Sequence, residues 1–76
     1  MKTPREKLTG AQRKALDWLE QHNGDGMFDQ NGVLLAAGES GPFMRSTWNG
    51  LRKAGWVEFY RLVVGKGLPW RVRIKP

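Results

Sequence analysis

The run Arg45-Ser-Thr-Trp-Asn-Gly-Leu-Arg-Lys-Ala-Gly-Trp-Val-Glu-Phe-Tyr60 decides the fold, because a helical pattern changes into a strand pattern within it. Ser40-Gly41-Pro42 precedes the run and is typical of a helix start, since proline fits the first turn. Gly55 is typical of a helix end. The sequence therefore predicts a helix over residues 42–54. Because aromatic and β-branched residues follow Gly55, it also predicts a strand over residues 56–64.

The predicted helix has one apolar side and one cationic side. Met44, Trp48 and Leu51 fall on the apolar side, which we expect to face the core. The remaining surface carries only cations and small hydrogen-bonding groups, namely Arg45, Ser46, Asn49, Arg52 and Lys53. No carboxylate occurs between Phe43 and Val57. The helix is therefore suited to contact a polyanion.

The C-terminal residues have the pattern of a β-hairpin. Residues 70–75 alternate strictly between apolar and cationic side chains, which is typical of a half-buried strand. A loop over residues 65–68 would place Phe59 on the core side and Tyr60 opposite Arg73. We expect the side chains of Tyr60 and Arg73 to stack across the two strands.

The N-terminal half begins with a helix predicted over residues 10–22. Thr9-Gly10-Ala11-Gln12 has the spacing of a capping box at its start. Asn23-Gly24 suits the left-handed conformation at its end. We expect residues 1–8, which are rich in Lys and Arg, to form a flexible basic arm in front of a single domain over residues 9–76.

Residues 26–37 admit two interpretations. Asn31-Gly32 lies between apolar runs and is a strong hairpin signal, which would pair residues 27–29 with residues 33–35. Alternatively, a short strand is followed by a short helix that ends at Gly38. Periodicity does not distinguish these structures in such short apolar runs. Either interpretation predicts an α+β fold.

Charge is arranged in blocks along the chain. The 76 residues include 13 Lys and Arg and 7 Asp and Glu, for a formal net charge of +6. All the cations lie in residues 1–14 and 45–76, whereas residues 15–44 contain five anions and no Lys or Arg. We therefore expect a domain with one basic side and one acidic side.

The composition also excludes several classes of protein. The chain has no cysteine and one histidine, so disulfide frameworks and thiolate sites are excluded and a transition-metal site is not expected. We expect no cofactor and no enzymatic activity. The longest apolar run, Val33 to Ala37, is far shorter than the roughly 20 residues that cross a bilayer. We expect a cytoplasmic protein without a membrane partner.

The order of helix, glycine-rich connector, cationic helix and hairpin resembles a winged helix-turn-helix domain. The resemblance is carried by the run from Arg45 to Tyr60, the tip Gly65-Lys66-Gly67 and the segment from Trp70 to Ile74. The junction Leu51-Arg-Lys-Ala-Gly-Trp-Val57 is similar to the one in bacterial winged-helix regulators, where the recognition helix ends at a glycine. That family usually has a further clear helix where this chain has its glycine-rich connector.

The resemblance implies sequence-specific binding of double-stranded DNA, as in small bacterial or phage transcriptional regulators. The second helix would enter the major groove, with Arg45 and Asn49 as candidates for base readout. Lys66 at the wing tip would contact the backbone or the minor groove. The residues expected to bind DNA are Arg45, Ser46, Asn49, Arg52, Lys53, Arg61, Lys66, Arg71 and Arg73.

The expected partners follow from the small size of the domain. Tight binding to DNA would need a homodimer on a two-fold site or a partner protein. We also expect Arg45, Asn49, Lys66 and Arg71 to share one convex surface. The alternative to DNA binding is a protein–protein interaction module on the same scaffold, such as a phage-encoded inhibitor.

Overall fold

The computed structural model describes residues 2–61 and 70–75, which form an α+β fold of two α-helices and a five-stranded antiparallel sheet. The elements in chain order are a short 3-10 helix (Arg5–Lys7), α1 (Gly10–Gln21), β1 (Asp25–Phe28), β2 (Leu34–Ala36), β3 (Glu39–Ser40), α2 (Arg45–Lys53), β4 (Val57–Tyr60) and β5 (Arg71–Ile74). The strand order is β3-β2-β1-β5-β4. The C-terminal hairpin is therefore one part of a larger sheet.

Helix α1 confirms the predicted first helix and ends one residue earlier than predicted. The Thr9 hydroxyl accepts a hydrogen bond from the Gln12 amide at 3.1 Å, and the Gln12 side chain accepts one from the Thr9 amide at 3.0 Å. Asn23 has a φ of 76°, and the Gly24 amide donates to the Leu19 carbonyl at 2.8 Å. Both predicted end signals therefore act as expected.

Residues 26–37 form a β-hairpin, so the hairpin interpretation is confirmed and the short helix is wrong. Met27 lies opposite Leu35 in the pairing of β1 with β2. Asp29 closes the turn, because its carboxylate accepts a hydrogen bond from the Val33 amide at 2.9 Å. A side chain that binds the backbone of its own turn competes effectively with helix formation.

A second tight turn follows directly and joins β2 to β3. Ala37 and Gly38 both have left-handed φ values, 50° and 79°, and Ala36 pairs with Glu39 across the turn. Consecutive positive φ values are typical of two-residue hairpin turns. Alanine rarely adopts them, so this turn carries a weaker sequence signal than Asn31-Gly32.

Helix α2 begins three residues later than predicted and ends one residue earlier. The Gly41 amide donates to the Leu34 carbonyl at 2.8 Å, so the chain is still attached to the sheet where the helix was expected to begin. Met44 precedes the helix and is 76% exposed, so its predicted inward orientation is wrong. Trp48 and Leu51 are fully buried, as predicted.

The junction between α2 and β4 forms as predicted. Gly55 has a φ of 86°, and its amide donates to the Arg52 carbonyl at 3.1 Å. The Trp56 amide donates to the Leu51 carbonyl at 3.0 Å. These two bonds form a Schellman motif, which turns the chain directly from α2 into β4 at Val57.

Strands β4 and β5 pair as predicted, but their register differs from the expected one by two residues. Tyr60 lies opposite Arg71, not opposite Arg73. A slip of two residues leaves every side chain on its own face, so the alternation in the sequence fits both registers. Strand β4 begins one residue later than predicted and ends at Tyr60, so Arg61 lies beyond it. Residues 62–64 of the predicted strand and the loop predicted over residues 65–68 lie outside the described residues.

The core lies between the two helices and one face of the sheet. Its fully buried large side chains are Leu16, Leu19, Phe28, Leu34, Trp48, Leu51, Val57 and Val72. The Phe43 ring lies nearly perpendicular to that of Trp48, with 6.0 Å between ring centroids. A Cβ atom at Gly50 would overlap the side-chain amide of Gln12, so this glycine lets α2 approach the start of α1.

The segment expected to form a flexible basic arm lies against the domain. The Thr3 amide donates to the Ala54 carbonyl at 2.8 Å, and the Trp56 indole donates to the Thr3 carbonyl at 2.7 Å. Leu8 is 5% exposed and belongs to the core. These contacts attach the N-terminal segment to the end of α2.

Candidate nucleic-acid interface

The side of α2 that faces away from the core carries the cations predicted from the sequence. Its exposed residues are Arg45, Ser46, Arg52 and Lys53, with Asn49 half-buried among them. Within residues 2–61 and 70–75, no carboxylate forms a salt bridge with Arg45, Arg52 or Lys53. Among the described carboxylates, these three charges therefore have no salt-bridge partner.

Aromatic rings hold the two arginines of this side in place. The guanidinium carbon of Arg45 lies 4.5 Å from the centroid of the Phe28 ring and 5.8 Å from that of Phe59. The guanidinium carbon of Arg52 lies 5.1 Å from the Phe59 centroid. Stacking uses the flat face of a guanidinium and leaves the N–H donors at its edge available to an acceptor.

A cleft of about 380 Å³ opens between α2 and the adjoining sheet edge. Its lining residues are Arg45, Asn49, Arg52, Phe59 and Trp70. Trp70 is 39% exposed, and the guanidinium carbon of Arg61 lies 4.2 Å from the centroid of its ring. The cleft thus combines an aromatic lining with cationic and amide groups.

Arg71 and Arg73 lie on the other face of the sheet. Val72 between them is fully buried beneath the helices, so its two neighbours in the strand point the opposite way. Arg71 donates to the Tyr60 hydroxyl at 3.0 Å and forms a salt bridge with Asp25 at 3.4 Å. The hydrogen bond with Tyr60 and the Asp25 charge raise the pKa of Arg71 above its ordinary value.

Arg73 is also neutralised on this face. It forms a salt bridge with Glu58, and this bond raises the pKa of Arg73. Its guanidinium carbon lies 4.4 Å from the Tyr60 ring centroid, so the predicted stack of Tyr60 with Arg73 forms diagonally across the shifted register. The face defined by Asp25, Glu58, Tyr60, Arg71 and Arg73 is called the outer sheet face below.

The residues expected to form one convex surface are therefore divided between two. Arg45, Ser46, Asn49, Arg52 and Lys53 lie together on the outward side of α2. Arg61 adjoins them through its stack on Trp70. Arg71 and Arg73 lie on the outer sheet face and are paired with carboxylates. Lys66 lies outside the described residues.

The acidic block of residues 15–44 is largely engaged in contacts within the domain. Arg5 forms salt bridges with Asp17 and Glu20 on α1. Glu39 accepts from the ring of His22. These pairings compensate much of the acidic charge that the sequence suggested would cover one side.

His22 connects the end of α1 to β3. Its Nδ1 atom lies 2.6 Å from the Trp18 carbonyl oxygen, and its Nε2 atom lies 2.6 Å from the Glu39 carboxylate. Both contacts favour the protonated ring, so the Trp18 carbonyl and the Glu39 carboxylate raise the pKa of His22. The His22 ring also stacks on the Trp18 ring, with 4.3 Å between ring centroids.

An open, largely apolar concavity of about 530 Å³ lies in front of α2. It is lined by Asn31, Gly32, Val33, Gly41, Pro42, Phe43, Met44 and Arg45. The exposed Met44 side chain stands at its margin. A single exposed methionine is ordinary on a protein surface, so its position beside an apolar concavity is what distinguishes Met44.

Sequence reasoning missed the aromatic residues of the cleft. Phe59 and Trp70 were both expected only on the core-facing side of the hairpin. In the structure both line the cleft. The available signal was the excess of arginine and aromatic residues in the same segment, but the pairing of each arginine with a ring depends on the fold.

The described residues contain neither a metal-binding cluster nor a membrane-spanning helix. No group of three His, Cys, Asp or Glu side chains there could hold a metal ion. Neither helix in that part of the chain is long and apolar enough to cross a membrane. No protein-family model, curated protein or solved structure matches the chain.

Proposed function

We propose that the protein binds double-stranded DNA in a sequence-specific manner through the outward side of α2, as a small cytoplasmic regulator of transcription. The observation that supports this most directly is the set of cations without carboxylate partners, Arg45, Arg52 and Lys53, beside Asn49 on one helix. Uncompensated cations attract the phosphate backbone, and arginine and asparagine can read base edges.

The path of the chain adds support for a winged-helix arrangement. α2 runs through Gly55 into β4, and β4 pairs with β5. One feature departs from the family: strands β1 to β3 occupy the place of its further helix. In this protein α1 and the sheet support α2 instead, through the buried Trp48 and Leu51.

The division of cations between two surfaces sharpens the proposal. Arg45 and Asn49 read bases, while Arg52, Lys53 and Arg61 contact phosphates. Arg71 and Arg73 take no part, because the outer sheet face points away from α2. A helix of nine residues is about 13 Å long and spans roughly four base pairs, so tight binding requires a homodimer or a partner protein.

The test is a titration of labelled duplexes monitored by fluorescence anisotropy, first with random sequence and then with a site selected from a random pool. With about three or four phosphate contacts, log affinity should fall with log salt with a slope of about −3 to −4. Absence of duplex binding at about 50 mM salt would contradict the proposal.

Two variants separate base readout from phosphate contact. Asn49→Ala should weaken binding to the selected site by about 5- to 100-fold and leave random duplex almost unaffected. Lys53→Ala should weaken both equally and reduce the salt slope by about 1. Equal losses for both variants on both duplexes would leave only non-specific binding.

A second candidate function is a protein–protein interaction module. The exposed Met44 beside the 530 Å³ concavity favours it. In that case Met44→Ser should abolish capture of the partner, and duplex DNA should not compete. Under the DNA proposal, the same variant leaves duplex affinity unchanged.

A further inference from the structure

We propose that the cleft between α2 and Trp70 binds one unpaired nucleotide, so that the protein prefers duplex DNA with an adjoining single strand to blunt duplex. This inference rests on the proposed function, because both use Arg45, Asn49 and Arg52. At the end of a duplex, the unpaired base enters the cleft and its phosphate meets the arginines, and these contacts replace the base-edge contacts that Arg45 and Asn49 make within a duplex.

The size and lining of the cleft fit a nucleotide. Its volume of about 380 Å³ lies within the usual range of about 300–1,000 Å³ for small-ligand sites. Phe59 forms an apolar wall of the cleft, and Trp70, which is 39% exposed, supplies a ring on which the flat face of a nucleobase can stack. Asn49 supplies an amide that can bond to a base edge.

The cations are placed to receive the phosphate. Arg45 and Arg52 lie on the same side of α2, two turns and about 10 Å apart, with Asn49 between them. A planar guanidinium binds phosphate oxygens with two parallel hydrogen bonds. Both groups are already oriented by their contacts with aromatic rings, so little side-chain freedom is lost on binding.

An unpaired nucleotide fits these features better than a paired one. In a duplex the base faces are stacked on each other and only the edges are accessible. The Trp70 ring can therefore stack only on a base that has left the duplex or never belonged to it. Arg61 already lies over the Trp70 ring and adds positive charge beside this position.

The experiment compares three fluorescent probes by anisotropy: a blunt duplex, the same duplex with a short oligo(dT) overhang, and oligo(dT) alone. The wild-type protein should bind the overhang duplex at least about 5-fold more tightly than the blunt duplex. Trp70→Ala should abolish this difference, so that the overhang duplex and the blunt duplex bind with affinities within about 2-fold of each other. Trp70→Phe, which keeps a ring, should retain part of the difference.

A second measurement does not require the Trp70 side chain, which lies beside the sheet, to be shortened. Oligo(dT) should quench tryptophan fluorescence in the wild-type protein. In Arg52→Gln, a change at an exposed position on α2, half-maximal quenching should need an oligo(dT) concentration about 10-fold higher. Thermal unfolding of each variant checks that the fold is retained.

The outcomes separate this inference from the proposed function. No preference for the overhang, or a preference that persists in Trp70→Ala, overturns the inference while blunt-duplex binding maintains the function. Binding of oligo(dT) that depends on Trp70, without any binding of blunt duplex, supports the inference and overturns the function. Competition by polyglutamate as strong as that by oligo(dT) overturns the nucleotide assignment, because charge alone would then explain binding.

Discussion

Arg45 on α2 and Arg71 on β5 are the same type of residue on two sides of one small domain, yet their surroundings differ. Arg45 lies over the Phe28 ring and has no carboxylate partner among the described residues, whereas Arg71 binds Tyr60 and Asp25. An aromatic ring orients a guanidinium without neutralising it, and a carboxylate does both. The outward side of α2 therefore keeps a positive potential that the outer sheet face does not.

This difference bears on how a basic sequence is interpreted. The composition counts both arginines equally toward the net charge of +6. Cations without a carboxylate partner attract a polyanion most strongly, and three of those among the described residues, Arg45, Arg52 and Lys53, lie together on α2.

The largest effect is expected from removing the arginines of one side at a time. Arg45→Ala combined with Arg52→Ala should lower affinity for the selected duplex by about 30-fold or more, since each arginine contributes about 1–2 kcal/mol. Arg71→Ala combined with Arg73→Ala removes the same formal charge from the outer sheet face and should change affinity by less than about 3-fold. Anisotropy titrations at one salt concentration measure both.

Equal losses in the two double variants would show that net charge, and not its position, controls binding. That result would contradict the difference described between the two sides. Circular dichroism of each double variant provides the control for folding, because the salt bridges of Arg71 and Arg73 on the outer sheet face also contribute to stability.

A smaller effect is expected when a carboxylate of the outer sheet face is neutralised. Asp25→Asn removes the charge that accepts hydrogen bonds from Tyr60 and Arg71, and should lower the free energy of unfolding by about 1 kcal/mol. Thermal unfolding should show a decrease of about 4–8 °C in Tm.

The matched control for that variant is Lys53→Gln on α2. Lys53 is exposed and forms no salt bridge with a described carboxylate, so its replacement should change the free energy of unfolding by less than about 0.5 kcal/mol. A decrease in Tm as large as that of Asp25→Asn would refute the stabilising role given to the outer pairs.

The smallest effect concerns His22, whose charge can be removed at mild pH. Its folded-state pKa is raised by the Trp18 carbonyl and by Glu39. The contribution of protonated His22 to the free energy of unfolding is therefore fully present below the ordinary pKa of about 6.5, and it disappears as the pH rises through the folded-state pKa. Duplex affinity should not follow this titration, because His22 is not one of the residues proposed to contact DNA.

An NMR titration of the single histidine measures this pKa directly. Glu39→Gln should lower the pKa of His22 but leave it above the ordinary value, because the Trp18 carbonyl is retained. A wild-type pKa at or below the ordinary value would contradict the arrangement seen in the structure.

Local signals predicted the elements whose ends are determined by nearby residues. The Thr9 capping box, Asn23 and Gly55 marked helix ends that the structure confirms, because each acts through hydrogen bonds within one turn. The start of α2 was predicted three residues too early. There the Gly41 amide binds the Leu34 carbonyl of a strand, a contact between distant residues that no local pattern indicates.

Only part of the candidate site was predicted, again because local patterns do not indicate contacts between distant residues. The cations of α2 share one side because helical periodicity places them there, and the sequence contains that periodicity. The pairing of Asp25 with Arg71 joins residues 46 positions apart, so it depends on β1 lying beside β5. Phe59 and Trp70 lie beside α2 for the same reason, because their positions also depend on how the strands pair.

The sequence alone determined the α+β class, the two helices, the C-terminal hairpin strands and the cationic side of α2, because periodicity, caps and turns act over a few residues. The tertiary structure alone decided the strand order, the register of β4 with β5 and which arginines are neutralised. These depend on contacts between distant segments, and a local pattern is compatible with several such arrangements.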